Sequence, residues 1–267
     1  MPRTRPIVLI TDFGPDSAYV GQMKLVLHRL APGAAVLDLA HDLPAHDVAA
    51  AALNLESAAR FLPDRCVVVL VVDPGVGSKR RIVAARYGKG LFVLAPDNGA
   101  LRGALGLGTP AEVRVITNEA LHLKPVSPVF HGRDIFAPAA ARLARGLCFK
   151  VLGPLTRYSS LEPPPWRDPV LGRSTHGVRV IHIDRFGNLI TNLSAKVLGE
   201  NQPVEVRCRR RRFPFATHYE AVGQGRPLSL IGSHGRLELA LREASAARKL
   251  GIVPGVAVNV TLAAHVG

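Results

Sequence analysis

The apolar positions of this chain follow one rhythm over its first 160 or so residues and another beyond. Early on, they come as short continuous runs: Ile7–Ile10 (IVLI), Ala35–Leu39 and Val67–Val72 (VVVLVV). Runs without polar alternation read as strands buried on both faces, as in a parallel sheet covered by helices. The intervening stretches have helical spacing. Tyr19–Leu30 sets Val20, Met23, Leu27 and Leu30 on one face and stops at Pro32-Gly33, and Val48–Phe61 is an Ala-rich helix ended by Pro63-Asp64. Strand, helix, strand, helix, strand predicts a doubly wound α/β layer. Ile82–Arg86 and Leu91–Ala95 follow as a strand pair, Glu112–Ile116 as another strand and Ala139–Ala144 as part of a helix.

The periodicity breaks over Leu161–Arg173, at Pro163-Pro164-Pro165-Trp166. Beyond it, Val178–Ile183, Leu189–Asn192, Val204–Val206, Pro227–Ile231, Leu237–Leu239 and Val256–Leu262 are short β-like runs parted by Gly turns, with Ala244–Leu250 as one short helix. The pattern predicts an α/β domain over residues 1–162, whose mostly parallel sheet is flanked by helices. A Pro-rich linker over 163–173 and a smaller all-β, barrel-like domain over 174–267 complete it. At 267 residues the chain is long enough to bury both cores.

Composition narrows the setting. No apolar run reaches the length of a membrane span, and MPRTRPIVLITD runs directly into a strand without a signal-peptide core, so a cytoplasmic protein is expected. Cys66, Cys148 and Cys208 are scattered and fit neither a disulfide framework nor a CxxC metal site. The formal charge of +14 would suit a nucleic-acid binder, but the excess is spread along the chain and only 5% of residues are aromatic. This argues against nucleic acid as the main partner. The dense run Arg207–Arg212 (RCRRRR) reads as a solvated edge or hairpin, with a polyanion contact as the alternative.

The chemistry gathers where strands end. Asp12, Asp73 and Asp97 each follow an apolar run, at the edge where open α/β sheets bind ligands. After Asp73, Pro74, Gly75 and Gly77 force a tight turn that Lys79, Arg80 and Arg81 close with positive charge. A carboxylate held beside an Arg suits a base or a water-positioning group. His131 stands before the Ala-rich helix, where the helix dipole would keep it neutral and able to accept a proton. Two site chemistries remain open: a metal-dependent phosphohydrolase using Asp12, Asp16, Asp97 and Asn98, or a metal-free nucleoside site with Asp12 or Asp16 on a ribose hydroxyl pair. Phosphate-cradle glycine signatures are missing after the first strand, as are the G-x-S-x-G elbow and the HExxH helix.

Six longer motifs are more specific: ITDFG (10–14), VVDPGVGSKR (71–80), APDNG (95–99), FHGRDIFAP (130–138), IDRFGNLITN (183–192) and GSHGRLELA (232–240). In kind and order they resemble the S-adenosyl-L-methionine (SAM) hydroxide adenosyltransferases, SAM hydrolases related to the fluorinase and chlorinase enzymes. The resemblance implies an N-terminal α/β domain and a C-terminal β-barrel. It also implies a homotrimer binding SAM between neighbouring subunits, and hydrolysis of SAM to adenosine and L-methionine without metal or cofactor. It puts the catalytic Asp, Arg and His on Asp73, Arg80 and His131, with Arg81 as competitor for the Arg role. Asp12, helped by Asp16 and Ser17, would hold the ribose hydroxyls. Asp184 and Asn188 would hold the methionine amino group, Ser233 its carboxylate, and Tyr219 would lie against adenine, with Glu238 as a further substrate-binding candidate. DPG at 73–75 points to the water-using branch. Halogenation, metal-dependent phosphohydrolysis and a non-catalytic nucleotide- or RNA-binding role are the alternatives. The chain departs from the family pattern at His234, where halogenating relatives carry Arg, and in LREASAARKLG, which lacks the expected Asn-rich ending.

Overall fold

A computed structural model describes residues 4–170, 174–199 and 203–262. The chain forms two compact units, Met1–Pro165 and Trp166–Gly267. In the first, the elements run β1 (Ile7–Thr11), α1 (Ala18–Leu30), β2 (Val36–Ala40), α2 (Val48–Ala58), β3 (Val67–Val71), β4 (Ile82–Arg86), β5 (Phe92–Pro96), α3 (Ala100–Gly103), β6 (Glu112–Val115), α4 (Ala137–Ala144) and β7 (Leu155–Thr156). The sheet order is β2-β1-β3-β5-β4-β6-β7. Its β2, β1, β3 and β5 are parallel, while β4 reverses against both β5 and β6, and β7 against β6.

The apolar runs account for this layer. Every residue of β1 and β3 is buried, as a strand covered on both faces requires. Helix α1 starts where the Ser17 hydroxyl accepts the Tyr19 N–H, and it turns Val20, Met23, Val26 and Leu27 into the core. Helix α2 starts on Asp47, whose carboxylate accepts the Ala50 N–H. A π-helical turn over Gly132–Phe136 leads into α4, whose Ala-rich face lets it lie close to α1. The chain leaves β1 to one side for β2 and returns on the other for β3. The ends of β1 and β3 therefore flank the point where the winding reverses, the usual ligand crevice of such sheets.

The second unit carries β8 (Ser174–Thr175), β9 (Val180–Ile183), β10 (Leu189–Ser194), α5 (Ala195–Leu198), β11 (Pro203–Cys208), β12 (Arg211–Arg212), β13 (Pro227–Ile231), β14 (Arg236–Leu241), α6 (Ala246–Leu250) and β15 (Val258–Leu262). They form two four-stranded antiparallel sheets, β13-β14-β10-β9 and β12-β11-β15-β8. Leu189, Leu193, Leu237 and Leu239 from one share a core with Val206, Cys208, Val258 and Val260 from the other. The Arg-rich run is a hairpin in which Arg207 pairs with Arg212. Of the stretch expected as a linker, the Pro163 carbonyl lies against Gly99 in the first unit, Trp166–Val170 belongs to the second, and 171–173 lie outside the described residues. Among the described residues no helix is long and apolar enough to cross a membrane.

Candidate active site

The turn after β3 brings a carboxylate back onto its own arginine. Asp73 leaves the sheet, and successive backbone hydrogen bonds from Val76 to the Asp73 carbonyl and from Ser78 to the Gly75 carbonyl wind the chain round. The Ser78 hydroxyl accepts the Arg80 N–H at 3.2 Å and sets the arginine's direction. Arg80 Nε then lies 2.8 and 2.9 Å from the two Asp73 oxygens, and Nη2 also donates to Oδ2. Both side chains are nearly buried, at 10% and 5% exposure, so the pair is shielded from solvent competition.

The same guanidinium holds the histidine. Arg80 Nη2 lies 2.9 Å from His131 Nδ1, at the start of the π-helical turn. Gly77 makes this approach possible. It has φ +79°, and a Cβ there would stand 2.5 Å from the Pro128 carbonyl oxygen, so only glycine lets the turn meet the segment leading to His131. Burial and then the Arg80 charge push the His131 pKa below the ordinary imidazole value, which keeps the ring neutral. This neutrality matches expectation, although its causes here are burial and Arg80. The direction of proton transfer changes, however. Guanidinium only donates, so Nδ1 is the acceptor and a neutral ring carries its proton on Nε2. His131 thus presents a donor on its free side, and the carboxylates of Asp12 and Asp73 are the acceptors that line the same cleft.

These groups open on a cleft of about 260 Å³ walled by Asp12, Tyr19, His46, Asp73, Phe130 and His131. Asp12 comes from the end of β1, and its Oδ2 accepts the His46 N–H at 2.8 Å. Phe13, Tyr19 and Phe130 stack edge to face with centroids 5.0–5.8 Å apart, an apolar wall facing the charged groups. Asp16 is exposed and Ser17 caps α1, so neither lines the cleft. The sequence reading missed Tyr19, His46 and Phe130. Tyr19 and Phe130 sit among apolar positions that read as core, and His46 has no motif, although its left-handed φ of +66° marks a held backbone.

The third strand-end carboxylate serves structure. Asp97 accepts from Arg81 Nε at 2.7 Å and from the Glu162 N–H at 2.8 Å, while Asn98 donates to the Val72 carbonyl. Arg81 is thereby committed away from Asp73, and Arg80 alone of the two faces it. Asp97 and Asn98 are likewise not gathered with Asp12 and Asp16 as a metal site would need, and among the described residues no cluster of three or more His, Cys, Asp or Glu is placed to hold a metal ion. Asp134 is also internal. Its burial would raise its pKa, but bonds from Arg133 and the Ser127 N–H hold it below the usual carboxylate range.

In the second unit, Asn188 and Tyr219 border a hollow of about 630 Å³ with Phe186, Arg242, Glu243 and Arg248. Asp184 Oδ1 accepts the N–H groups of Phe186 and Asn188, and its Oδ2 accepts from the Asn188 side chain at 3.0 Å, so the two residues form one closed turn. Tyr219 donates its hydroxyl to Glu238, a carboxyl 3% exposed. Burial raises the Glu238 pKa and the nearby Asp184 adds to the rise, against the lowering effect of the tyrosine bond. Gly232 leaves room for Glu238, since a Cβ there would lie 2.3 Å from its Oε2. Ser233 is exposed on the loop between β13 and β14.

An α/β layer with a hydrogen-bonded Asp–Arg–His group at its reversal point defines a site suited to polarising water beside a small polar ligand. Residues 7–153 match the SAM hydroxide adenosyltransferase N-terminal domain and residues 178–259 the C-terminal domain of that name. The chain belongs to the SAM hydroxide adenosyltransferase family. It is 40% identical to a "(R)-S-adenosyl-L-methionine hydrolase" of Thermus thermophilus, over 96% of this chain and 99% of that one. The protein of the same description from Salinispora tropica is 37% identical, over 96% and 97%. A fluorinase of Actinoplanes sp. is more distant at 25%, over 96% and 97%. The crystal structure of an uncharacterized conserved protein from Thermotoga maritima superposes with a TM-score of 0.83 at 33% identity, covering 96% of this chain and 99% of that one.

Proposed function

We infer that the protein is an enzyme that hydrolyses S-adenosyl-L-methionine to adenosine and L-methionine. The observation that carries the reading is the half-buried Asp73–Arg80–His131 group opening on the cleft at the ends of β1 and β3. SAM needs no general acid, because its sulfonium leaves as a neutral thioether. The water oxygen forms a bond to C5′, the C5′–S bond breaks with its electron pair going to sulfur, and one water proton must depart. We assign Asp73 to accept that proton and the His131 Nε2–H to hold the water oxygen, with Arg80 fixing both. Asp12 takes the ribose hydroxyls in this reading. Asp184, Asn188, Tyr219, Ser233 and Glu238 serve the remainder of the substrate, and Ser17 acts by setting the start of α1.

No metal or cofactor takes part in this reading; Arg81 and the Glu162 N–H occupy the carboxylate that the phosphohydrolase alternative would use. The reading also includes the cytoplasmic setting and the homotrimer that the family resemblance implies, with SAM held between neighbouring subunits. Light scattering should then give three times the 28.6 kDa of the chain. The test of the reaction is incubation with SAM, with and without EDTA, followed by chromatography. Equal adenosine and methionine, indifferent to chelator and added halide, are expected. A 5′-halo-adenosine on adding chloride or fluoride would move the protein to the halogenating branch, and loss of turnover with EDTA would restore a metal mechanism.

A further inference from the structure

We propose that His41 is a positioning residue for the nucleoside end of the site, acting through Thr11 on the turn that carries Asp12. The inference rests on the reading that Asp12 holds the ribose hydroxyls. Its starting point is an irregularity between two parallel strands. Leu9 pairs with Asp38, but Ile10 pairs with Ala40, so β2 holds one residue more than β1 at that point. Such bulges are rare in parallel pairs and re-aim the side chains that follow. Here the residue brought level with Thr11 is His41.

The contacts that result form one chain of hydrogen bonds from Lys24 to Thr11. Thr11 is fully buried. Its Oγ1 accepts the Phe13 N–H at 3.3 Å and lies 2.9 Å from His41 Nδ1. His41 Nε2 lies 2.9 Å from Asp38 Oδ1, and Lys24 Nζ donates to Asp38 Oδ2 at 2.6 Å. A carboxylate accepts, so Nε2 of His41 donates, and in the neutral tautomer Nδ1 accepts the one proton of the Thr11 hydroxyl. Two bonds from backbone N–H groups complete the grip: the Gly14 N–H donates to the His41 carbonyl at 2.7 Å, and the His46 N–H donates to Asp12 Oδ2 at 2.8 Å. The loop after β2 therefore holds the loop after β1 on both sides of Asp12. A carboxylate fixed before the ligand arrives need not be ordered on binding, and that saving appears as affinity for the group it meets.

The experiment measures adenosine and L-methionine binding by calorimetry, together with SAM turnover, in Thr11→Val, Thr11→Ser, His41→Ala and Asp12→Ala. Thr11→Val keeps the shape of the buried side chain and lacks the hydroxyl, so it and His41→Ala are expected to weaken adenosine about tenfold, raise KM for SAM in proportion and leave kcat within about twofold. Methionine affinity should be unchanged, and Thr11→Ser should restore the wild-type values. In an Asp12→Ala background the further change His41→Ala should have little effect on adenosine. If Asp12→Ala weakens adenosine while Thr11→Val and His41→Ala do not, the positioning role is wrong and the ribose reading stands. Equal weakening of adenosine and methionine, or an equal effect of His41→Ala with and without Asp12, would also overturn it. If Asp12→Ala itself leaves adenosine binding untouched, the ribose reading falls and this inference with it.

Discussion

His131 shows how much one hydrogen bond decides. Arg80 takes Nδ1, so the neutral ring faces the cleft as a donor through Nε2. Protonation would leave Nδ1 with no lone pair for Arg80 and push two cations together. Because burial and Arg80 both lower its pKa, the acid limb of kcat/KM is expected below the ordinary imidazole value of 6.5, with a flat profile from there to neutrality. A limb at or above 6.5 in a rate–pH series would contradict this. The same shift bears on stability: the unfolded chain binds this proton at a higher pH than the folded one, so the contribution is intact above 6.5 and is lost as pH falls through it. Replacing His131 by Ala or Asp73 by Asn is expected to cost roughly 10²–10⁴ in kcat while SAM still binds. Full activity in either variant, by product chromatography, would remove these residues from the mechanism.

At the scale of elements, the site depends on how turns leave the strands. Gly77→Ala would place a methyl 2.5 Å from the Pro128 carbonyl at a φ that side chains avoid, forcing the turn away from the segment bearing His131. A loss of about 1–3 kcal/mol in stability and a sharper loss of turnover are expected, read from denaturant melts and initial rates. An unchanged kcat would mean that Arg80 reaches His131 without this turn. The contrast with Gly75 is informative, because a Cβ there would meet Arg80 and Ser78 side chains at an ordinary 3.4 Å. Buried strands, the carboxylates at their ends and the Gly-rich turn were legible in the sequence because apolar runs and turn residues act locally. Asp97 looked equivalent to Asp12 and Asp73, and only the fold reveals that Arg81 and the Glu162 N–H claim it. The bulge that brings His41 level with Thr11 was invisible for a related reason: register is a property of two strands, and Leu39 alone carries no mark of being the extra residue. For Asp184 and Asn188 the family resemblance implies a ligand pair while the residues DRFGN by themselves favour a turn, and their mutual hydrogen bonds form that turn.

For the whole molecule, the question is what a formal charge of +14 does to an enzyme of this substrate. SAM carries a sulfonium and an ammonium against one carboxylate, so at neutral pH it approaches as a net cation. The protein's summed field therefore opposes the encounter, the reverse of the steering found where charge and substrate are complementary. Close to the cleft the sign differs, since Asp12 and Asp73 line it, but Arg80 neutralises the second of these at contact distance. Salt screens the distant charges first, because the Debye length is only about 8 Å at physiological ionic strength. Raising salt should thus remove repulsion from the surface before it weakens attraction at the site. The expected result is a kcat/KM for SAM that holds or rises by less than about tenfold between low and physiological salt. It would be measured as initial rates at substrate concentrations well below KM. Substituting Arg210 and Arg211 on the exposed hairpin by Ser should flatten that rise and leave kcat unchanged, because those side chains act on approach and not on bond breaking. A steep fall of kcat/KM with salt would mean that the carboxylates at the cleft dominate the field the substrate meets, and that the basic surface is electrostatically remote from it.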